Sequence, residues 1–267
     1  MPYRNLEIAE KKSIYELKGV YYLNEPDSKD IETERLYLGV RAKEGRIYTD
    51  EEVKNLPLIN KAHRYYNEWK IRSAMAKKLC SLLVNELSHK SILEIGCGNG
   101  WLSSMLAEDA SSSVIGLDIN RSELEQGARI FNEKKNLIFT YGDIFNPLIS
   151  GLRFDYIILA SSASYFNNPE SLINRLLILL NEQGEIHFID NPSYYNGDKE
   201  SAKQKTEEYY ESLGFPQMSR YYHHHDLIGI SQKYKHRVLY NPEKIINRVK
   251  RKITGNVSPF FWILIQK

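Results

Sequence analysis

Residues Ser91 to Ala107, SILEIGCGNGWLSSMLA, constrain the fold more than any other stretch of the chain. Ile92, Leu93 and Ile95 form an apolar run suited to a buried parallel strand. The chain then turns through Gly96-Cys97-Gly98-Asn99-Gly100 and resumes with Trp101, Leu102, Met105 and Leu106 at helical spacing. Strand, glycine-rich turn and helix in that order aim backbone N–H groups at an incoming ligand. Glycine in the turn allows positive φ and leaves no Cβ between ligand and main chain.

The spacing separates three ligand classes. A dinucleotide fingerprint needs G-x-G-x-x-G, and counting from Gly96 puts Trp101 where the third glycine belongs. A phosphate loop needs Gly-Lys-Ser/Thr, which does not follow. What stands here is Glu94, Gly96, Gly98 and Gly100 in the pattern E-x-G-x-G-x-G. It resembles the first motif of class I S-adenosylmethionine-dependent methyltransferases, which bind the methionine part of the cofactor at this turn. A tight strand-to-helix connection without a ligand gives the same local pattern, so the segments downstream decide.

Ser113 to Ile119 reads as a second buried strand that runs into Asp118. Asp118 lies 22 positions beyond Gly96, close to the spacing of about 20 for an acid that reaches ribose hydroxyls. A carboxylate accepts from both hydroxyls of a diol. Asn120 is the better cap for the helix that follows from Arg121 to Lys134, which leaves Asp118 free. Leu137 to Thr140 is a third strand, followed by Gly142-Asp143-Ile144-Phe145. This resembles the family's adenine corner, where the aspartate accepts from the exocyclic amine; a plain Gly-Asp turn is the alternative. Phe154 to Ala160 is a fourth strand, apolar as a doubly covered strand should be. It runs into Ser161-Ser162-Ala163-Ser164-Tyr165-Phe166 and then a helix from about Pro169 to Leu180. A fifth strand, Glu185 to Asp190, is followed by Asn191-Pro192-Ser193-Tyr194, one unit too late for the N/D-P-P-Y/F motif of amino-group methyltransferases.

The resemblance is specific between about residues 90 and 190. It implies an α/β fold: a Rossmann-like, doubly wound, seven-stranded and mostly parallel sheet over residues 89–267. Lys199 to Leu213 reads as a polar helix. His236 to Tyr240 and Pro259 to Ile265 supply the last two strands. Residues 1–88 read as an N-terminal helical extension, either a lid over the site or a helical layer on the sheet. A capping box at Thr49-Asp50-Glu51-Glu52 starts a short helix there. Trp69, Ala76, Leu79, Leu83 and Leu87 mark a longer one from Asn60 to about Ser88. As a lid, the extension would offer Arg46, Tyr48, Trp69 and Arg72 to a ligand.

Composition narrows the partners. Lys plus Arg number 36 against 34 acids, a net charge of +2, so no strong field for nucleic acid or anionic membrane follows. No signal peptide is read at the start, and the longest apolar runs are too short to cross a bilayer. Two cysteines, Cys80 and Cys97, give no disulfide framework. A cytoplasmic protein with reduced thiols is expected, with no membrane partner. His223-His224-His225 invites a metal reading, but neighbouring side chains on a regular element diverge, so no metal is expected. His187, inside a strand, reads as a core histidine. Between Pro242 and Ile253, Ile245, Ile246, Val249 and Ile253 share one helix face, with Lys244, Arg248, Lys250, Arg251 and Lys252 mostly on the other. An RNA acceptor would use that basic helix; a solvated basic face is the weightier account.

The resemblance implies methyl transfer from S-adenosylmethionine to an oxygen, nitrogen or carbon of a small molecule, leaving S-adenosylhomocysteine. Glu94, Gly96, Cys97, Gly98 and Gly100 would hold the methionine end. Asp118 and Ile119 would hold the ribose, and Gly142, Asp143 and Ile144 the adenine. Ala160, at the end of the fourth strand, completes the cofactor set. Tyr165 and Asp190, at or past the ends of two central strands, are the candidates to orient or deprotonate an acceptor. An RNA methyltransferase and a non-catalytic binding module on the same fold are the alternatives.

Overall fold

The structure is a computed structural model that describes residues 14–83, 89–195, 198–255 and 257–267. The expectations for residues 1–13, and for the helix end near Leu87 and Ser88, lie outside the described residues. The strands are β1 (Tyr15–Leu17), β2 (Val20–Tyr22), β3 (Ser91–Ile95), β4 (Ser113–Asp118), β5 (Leu137–Tyr141), β6 (Phe154–Ala160), β7 (Leu180–Asn191), β8 (His236–Tyr240) and β9 (Phe261–Gln266). They form one sheet in the order β1-β2-β5-β4-β3-β6-β7-β9-β8. β3 to β7 run parallel, and β9 closes antiparallel between β7 and β8. All seven expected strands are present. The order reverses at β3, so the crevice beside its carboxyl end is a topological switch point, where open α/β sheets bind ligands.

The sheet has two more strands than expected. β1 and β2 form a short antiparallel hairpin, and β2 extends the sheet parallel to β5, with Val20 opposite Phe139 and Tyr22 opposite Tyr141. The N-terminal segment is therefore not purely helical. Tyr15 stacks on Tyr22 at 4.9 Å between ring centroids, and Tyr22 packs on Tyr141 at 5.0 Å. Strands of three residues are too short to show alternation, so only packing fixes them.

Nine α-helices are described: α1 (Ser28–Glu44), α2 (Asp50–Asn55), α3 (Tyr66–Leu83), α4 (Trp101–Leu106), α5 (Arg121–Ile130), α6 (Pro169–Leu179), α7 (Asp198–Ser212), α8 (Leu227–Ser231) and α9 (Ile245–Thr254). Alternate residues of each central strand feed opposite faces. Ile92 and Val114 pack with Met75, Leu79, Leu102 and Leu106 of α3 and α4. Leu93 and Ile115 pack with Leu172, Ile173, Leu176 and Leu179 of α6 on the other face. Fully burying one such side chain stabilises by about 1.5–3 kcal/mol, which is why these strands are apolar throughout.

The segment that resisted assignment from sequence is α1. Asp27 caps it, accepting from the Asp30 N–H, while the Asp30 side chain accepts from the Asp27 N–H. Gly45 ends it at φ +71°. Glu34 of α1 accepts from Arg121 Nε at 2.8 Å and from the Ser122 N–H at 3.1 Å, placing a carboxylate at the positive end of α5. The expected box at Thr49 is formed, with the Glu52 N–H donating to Thr49 Oγ1 at 3.2 Å.

In α9 the apolar residues do not face the core: Ile245 is 79% exposed and Ile253 77%. Among the described residues, no helix is long and apolar enough to cross a membrane.

Candidate active site

A cavity of about 340 Å³ opens at the carboxyl ends of the parallel strands, within the usual size of small-molecule sites. Its floor is the turn after β3. Gly96, Gly98 and Gly100 all have positive φ, at +72°, +54° and +73°. A Cβ on Gly96 would lie 2.4 Å from the Ser162 Cβ, so only glycine lets the turn pass this close to the segment after β6. Gly100 acts differently from expectation. It does not line the cavity, and a Cβ there would lie 2.2 Å from the Phe139 ring. It seats the helix on β5.

Three carboxyl groups sit round this turn. Glu94 is buried and accepts a hydrogen bond from Ser103 Oγ. Burial pushes its pKa up to about 8, so it is mostly a neutral acid at pH 7. Asp118 is not free as the sequence implied. Its Oδ2 accepts the Gly98 N–H at 2.7 Å and its Oδ1 the Asn120 N–H at 2.8 Å. Burial raises its pKa, against these bonds, which favour the charged form. Each oxygen keeps a further acceptor site, so the residue fixes the loop and still presents a carboxylate to the cavity. Glu123, beside Gly98, is pushed up to about 7 by burial and then by the Asp118 charge. Asn120 does cap α5, accepting from the Glu123 N–H. Cys97 is buried, and its thiol is held protonated by burial.

The wall beyond β4 and β5 carries Ile119, Gly142, Asp143 and Ile144. The Gly142 N–H donates to the Asp118 carbonyl at 3.0 Å. Asp143 Oδ1 accepts the Phe145 N–H at 2.8 Å. Ile144 is buried, and Arg175 Nε holds its carbonyl at 3.0 Å.

Across the cavity, Ala160 ends β6 and Asp190 lies near the end of β7. Ser161 and Asp190 have φ of +61° and +53°, strained values for residues with a Cβ. Ser161 Oγ donates to the Asp190 carbonyl at 3.1 Å, and Ser258 Oγ donates to Asp190 Oδ1 at 3.1 Å. Burial pushes Asp190 up to about 6, and the Arg72 charge opposes the rise. It is therefore mostly ionised at pH 7 and able to take a proton. Tyr165 makes edge contacts with Tyr37 and Tyr222 at 6.1 and 5.8 Å between centroids. Burial raises its hydroxyl pKa, so it stays a neutral phenol.

The four residues singled out in the N-terminal segment, Arg46, Tyr48, Trp69 and Arg72, all line the cavity. Trp69 Nε1 donates to Tyr48 Oη at 2.8 Å, its ring meets Trp101 edge-on at 5.3 Å, and Arg46 pairs with Glu68 at 2.9 Å. Sequence reasoning missed the α1 wall, in which Asp30, Glu34, Tyr37 and Arg41 face the same space. The Asp27–Asp30 box was its one sequence signal. Of the three histidines, His224 Nε2 meets Thr206 Oγ1 at 2.9 Å, His225 Nε2 meets the Phe166 carbonyl at 2.7 Å, and the His223 ring stacks on that of His225 at 6.1 Å between centroids. His187 is a core residue, its Nδ1 accepting from Trp262 Nε1 at 3.1 Å.

Comparison with known proteins fits this geometry. Residues 86–251 match a family described as a methyltransferase domain. A malonyl-[acyl-carrier protein] O-methyltransferase of Acetivibrio thermocellus is 26% identical over 141 residues, covering 52% of this chain and 49% of that protein. A ubiquinone biosynthesis O-methyltransferase of Histophilus somni is 28% identical over 111 residues, 39% of this chain and 46% of that one. The chain thus spans about half the length of these curated relatives. Among solved structures, the magnesium protoporphyrin IX methyltransferase of Synechocystis PCC 6803, with bound S-adenosylhomocysteine, aligns with a TM-score of 0.56 at 15% identity, over 90% of this chain and 98% of that one. The CurJ carbon methyltransferase aligns at 0.56 and 13%, over 90% and 67%. At these identities the two alignments speak for the fold. The family match over most of the chain, on a sheet that reverses at the glycine turn, shows that this chain belongs to the S-adenosylmethionine-dependent class I methyltransferases.

Proposed function

We propose that the chain transfers a methyl group from S-adenosylmethionine to an oxygen, nitrogen or carbon of a small molecule. The observation that carries this reading is the single cavity on which the glycine turn, Asp118, Asp143 with Ile144, and the pair Tyr165 and Asp190 all open. The site's electrostatics fit the cofactor. Glu94, Asp118 and Glu123 crowd three carboxyl groups round the turn; burial raises the pKa of each, and the Asp118 charge adds to the rise at Glu94 and Glu123. A ligand with an ammonium and a sulfonium supplies the missing positive charge.

In this reading Gly96, Cys97 and Gly98 hold the methionine end, with Glu94 beneath them. Asp118 and Ile119 take the ribose, and Gly142, Asp143 and Ile144 the adenine. The cofactor brings a methyl group already activated on a positively charged sulfur. The protein's task is then to align the acceptor and keep water out. Tyr37, Tyr48, Trp69, Trp101 and Tyr165 line the acceptor side with aromatic surface, and the segment before residue 89 acts as the lid that carries three of them. Where the acceptor atom must lose a proton, the Asp190 carboxylate takes it, with Ser258 holding its Oδ1 in place. The Tyr165 hydroxyl, neutral, orients the acceptor by donating a hydrogen bond.

Calorimetry of S-adenosylhomocysteine binding tests the cofactor assignment. Asp118→Ala should weaken binding well over tenfold, because the loop loses its anchor and the ribose its acceptor. Unchanged affinity would remove Asp118 from the site.

A further inference from the structure

The helix α9 is turned inside out relative to the body it sits on. At about 100° per residue, Ile245, Ile246, Val249 and Ile253 fall within an arc roughly 100° wide. All four are exposed. The side of the helix opposite this arc carries Asn247 and Arg251, which are its partly buried residues. Asn247 Nδ2 donates to the Asn241 carbonyl at 2.8 Å. The polar edge is thus the partly buried side of the helix, and the apolar stripe points outward. Lys250 and Lys252 flank the stripe on either side, with Arg248 beyond Lys252, and all three are exposed. Lys78 of α3 adds positive charge nearby, its Nζ 5.3 Å from the Tyr240 ring centroid.

We propose that α9 seats the protein on the surface of an anionic phospholipid bilayer. A short helix with an aliphatic stripe between Lys250 on one side and Lys252 with Arg248 on the other lies in the headgroup plane, stripe inward, with the cations on lipid phosphates. Charge selects this occupant over the others. A second copy docked about a two-fold axis would set the same cations against each other. RNA would engage the cations but has no use for four aliphatic side chains, and the helix offers no aromatic ring for base stacking.

The position of α9 gives this surface a purpose. β9 begins at Phe261, which pairs with Asn191 at the end of β7, and β8 ends at Tyr240, which pairs with Trp262. The connection that contains α9 therefore lies at the carboxyl end of the parallel strands, where the cavity opens. The same connection supplies Ser258 to Asp190. A bilayer under α9 lies toward the end of the sheet where the acceptor enters. That consequence rests on the methyltransferase reading, whereas the docking itself does not.

Co-sedimentation of the full chain with vesicles tests the docking. With phosphatidylglycerol mixed into phosphatidylcholine the chain should pellet, and with phosphatidylcholine alone it should bind at least about tenfold more weakly. Ile245→Ser with Ile253→Ser should reduce binding to the mixed vesicles about tenfold or more. Lys250→Gln with Lys252→Gln should reduce both the binding and its sensitivity to salt. Thermal melts of each variant check the fold without reference to any cofactor, so the outcome stands whether or not the chain binds S-adenosylmethionine. A chain that stays in the supernatant with both vesicles overturns the proposal. So does a dimer that the isoleucine substitutions dissolve, or an RNA oligonucleotide that binds through the lysines while vesicles do not.

Discussion

The buried acid Glu94 gives the sharpest test of the site's electrostatics, through Glu94→Gln. Its side chain is 2% exposed, Ser103 donates to it, and burial lifts its pKa from an ordinary 4.5 to about 8. Between those values the folded chain holds a proton that the unfolded chain has released. The contribution to stability is therefore complete below about pH 4.5 and is lost as the pH rises through about 8. With the unfolded group ionised throughout, raising the pH from 7 to 9 removes about 1.4 kcal/mol at this one site. For a chain of 267 residues, an unfolding entropy of about 2.1 cal/mol/K per residue turns that loss into a fall of roughly 2–3 °C in Tm. Glutamine imitates the protonated acid and still accepts from Ser103, but it does not ionise. Circular-dichroism melts at pH 7 and pH 9 should show the wild-type chain losing about 2–3 °C more than the variant. Glu123 and the buried tyrosines titrate in both proteins, so the difference isolates position 94. Equal falls in the two proteins would mean that Glu94 is already charged at pH 7, and the account of a neutral acid beneath the glycine turn would be wrong.

Gly96→Ala should destabilise the chain by roughly 1–3 kcal/mol, since it places a Cβ 2.4 Å from Ser162 at φ +72°; an unshifted melting curve would show that the turn is looser than described. Asp190→Asn should lower turnover by about 10²–10⁴ for an acceptor that must lose a proton. It should also abolish the rise in rate as the pH passes through about 6, where the carboxyl ionises; a rate profile that keeps this rise would assign it to another group.

The sheet was legible because its signals are local. Ile92 to Ile95, Val114 to Leu117 and Tyr156 to Leu159 are runs that a doubly covered strand accommodates, and Gly96 and Asp118 close the first two at the cavity end. The residues that the family resemblance singled out at those ends line the cavity, apart from Gly100, which packs against Phe139. What stayed hidden depends on distant partners. α1 has no clean apolar stripe, because its residues divide between a small cluster with Tyr210 and Met218 and the wall of the cavity. Asp118 looked free because one of its two backbone partners, the Gly98 N–H, lies 20 residues away in sequence and the other, the Asn120 N–H, depends on the turn after β4. The apolar face of α9 has regular helical spacing, and periodicity alone cannot say whether such a face turns inward or outward.

The hairpin of β1 and β2 alters what the first part of the chain can be. Because β2 zips along β5 through Val20, Tyr21 and Tyr22, cutting the chain at residue 89 would strip two strands from the sheet. It would leave the outer backbone groups of β5 bare, an invitation to stick to any neighbouring chain. The leading segment is thus not a cassette that evolution or a protein engineer can swap at the glycine-turn boundary. A transplant meant to change acceptor preference would have to carry the hairpin and α1 together, or give the recipient another way to seal that border.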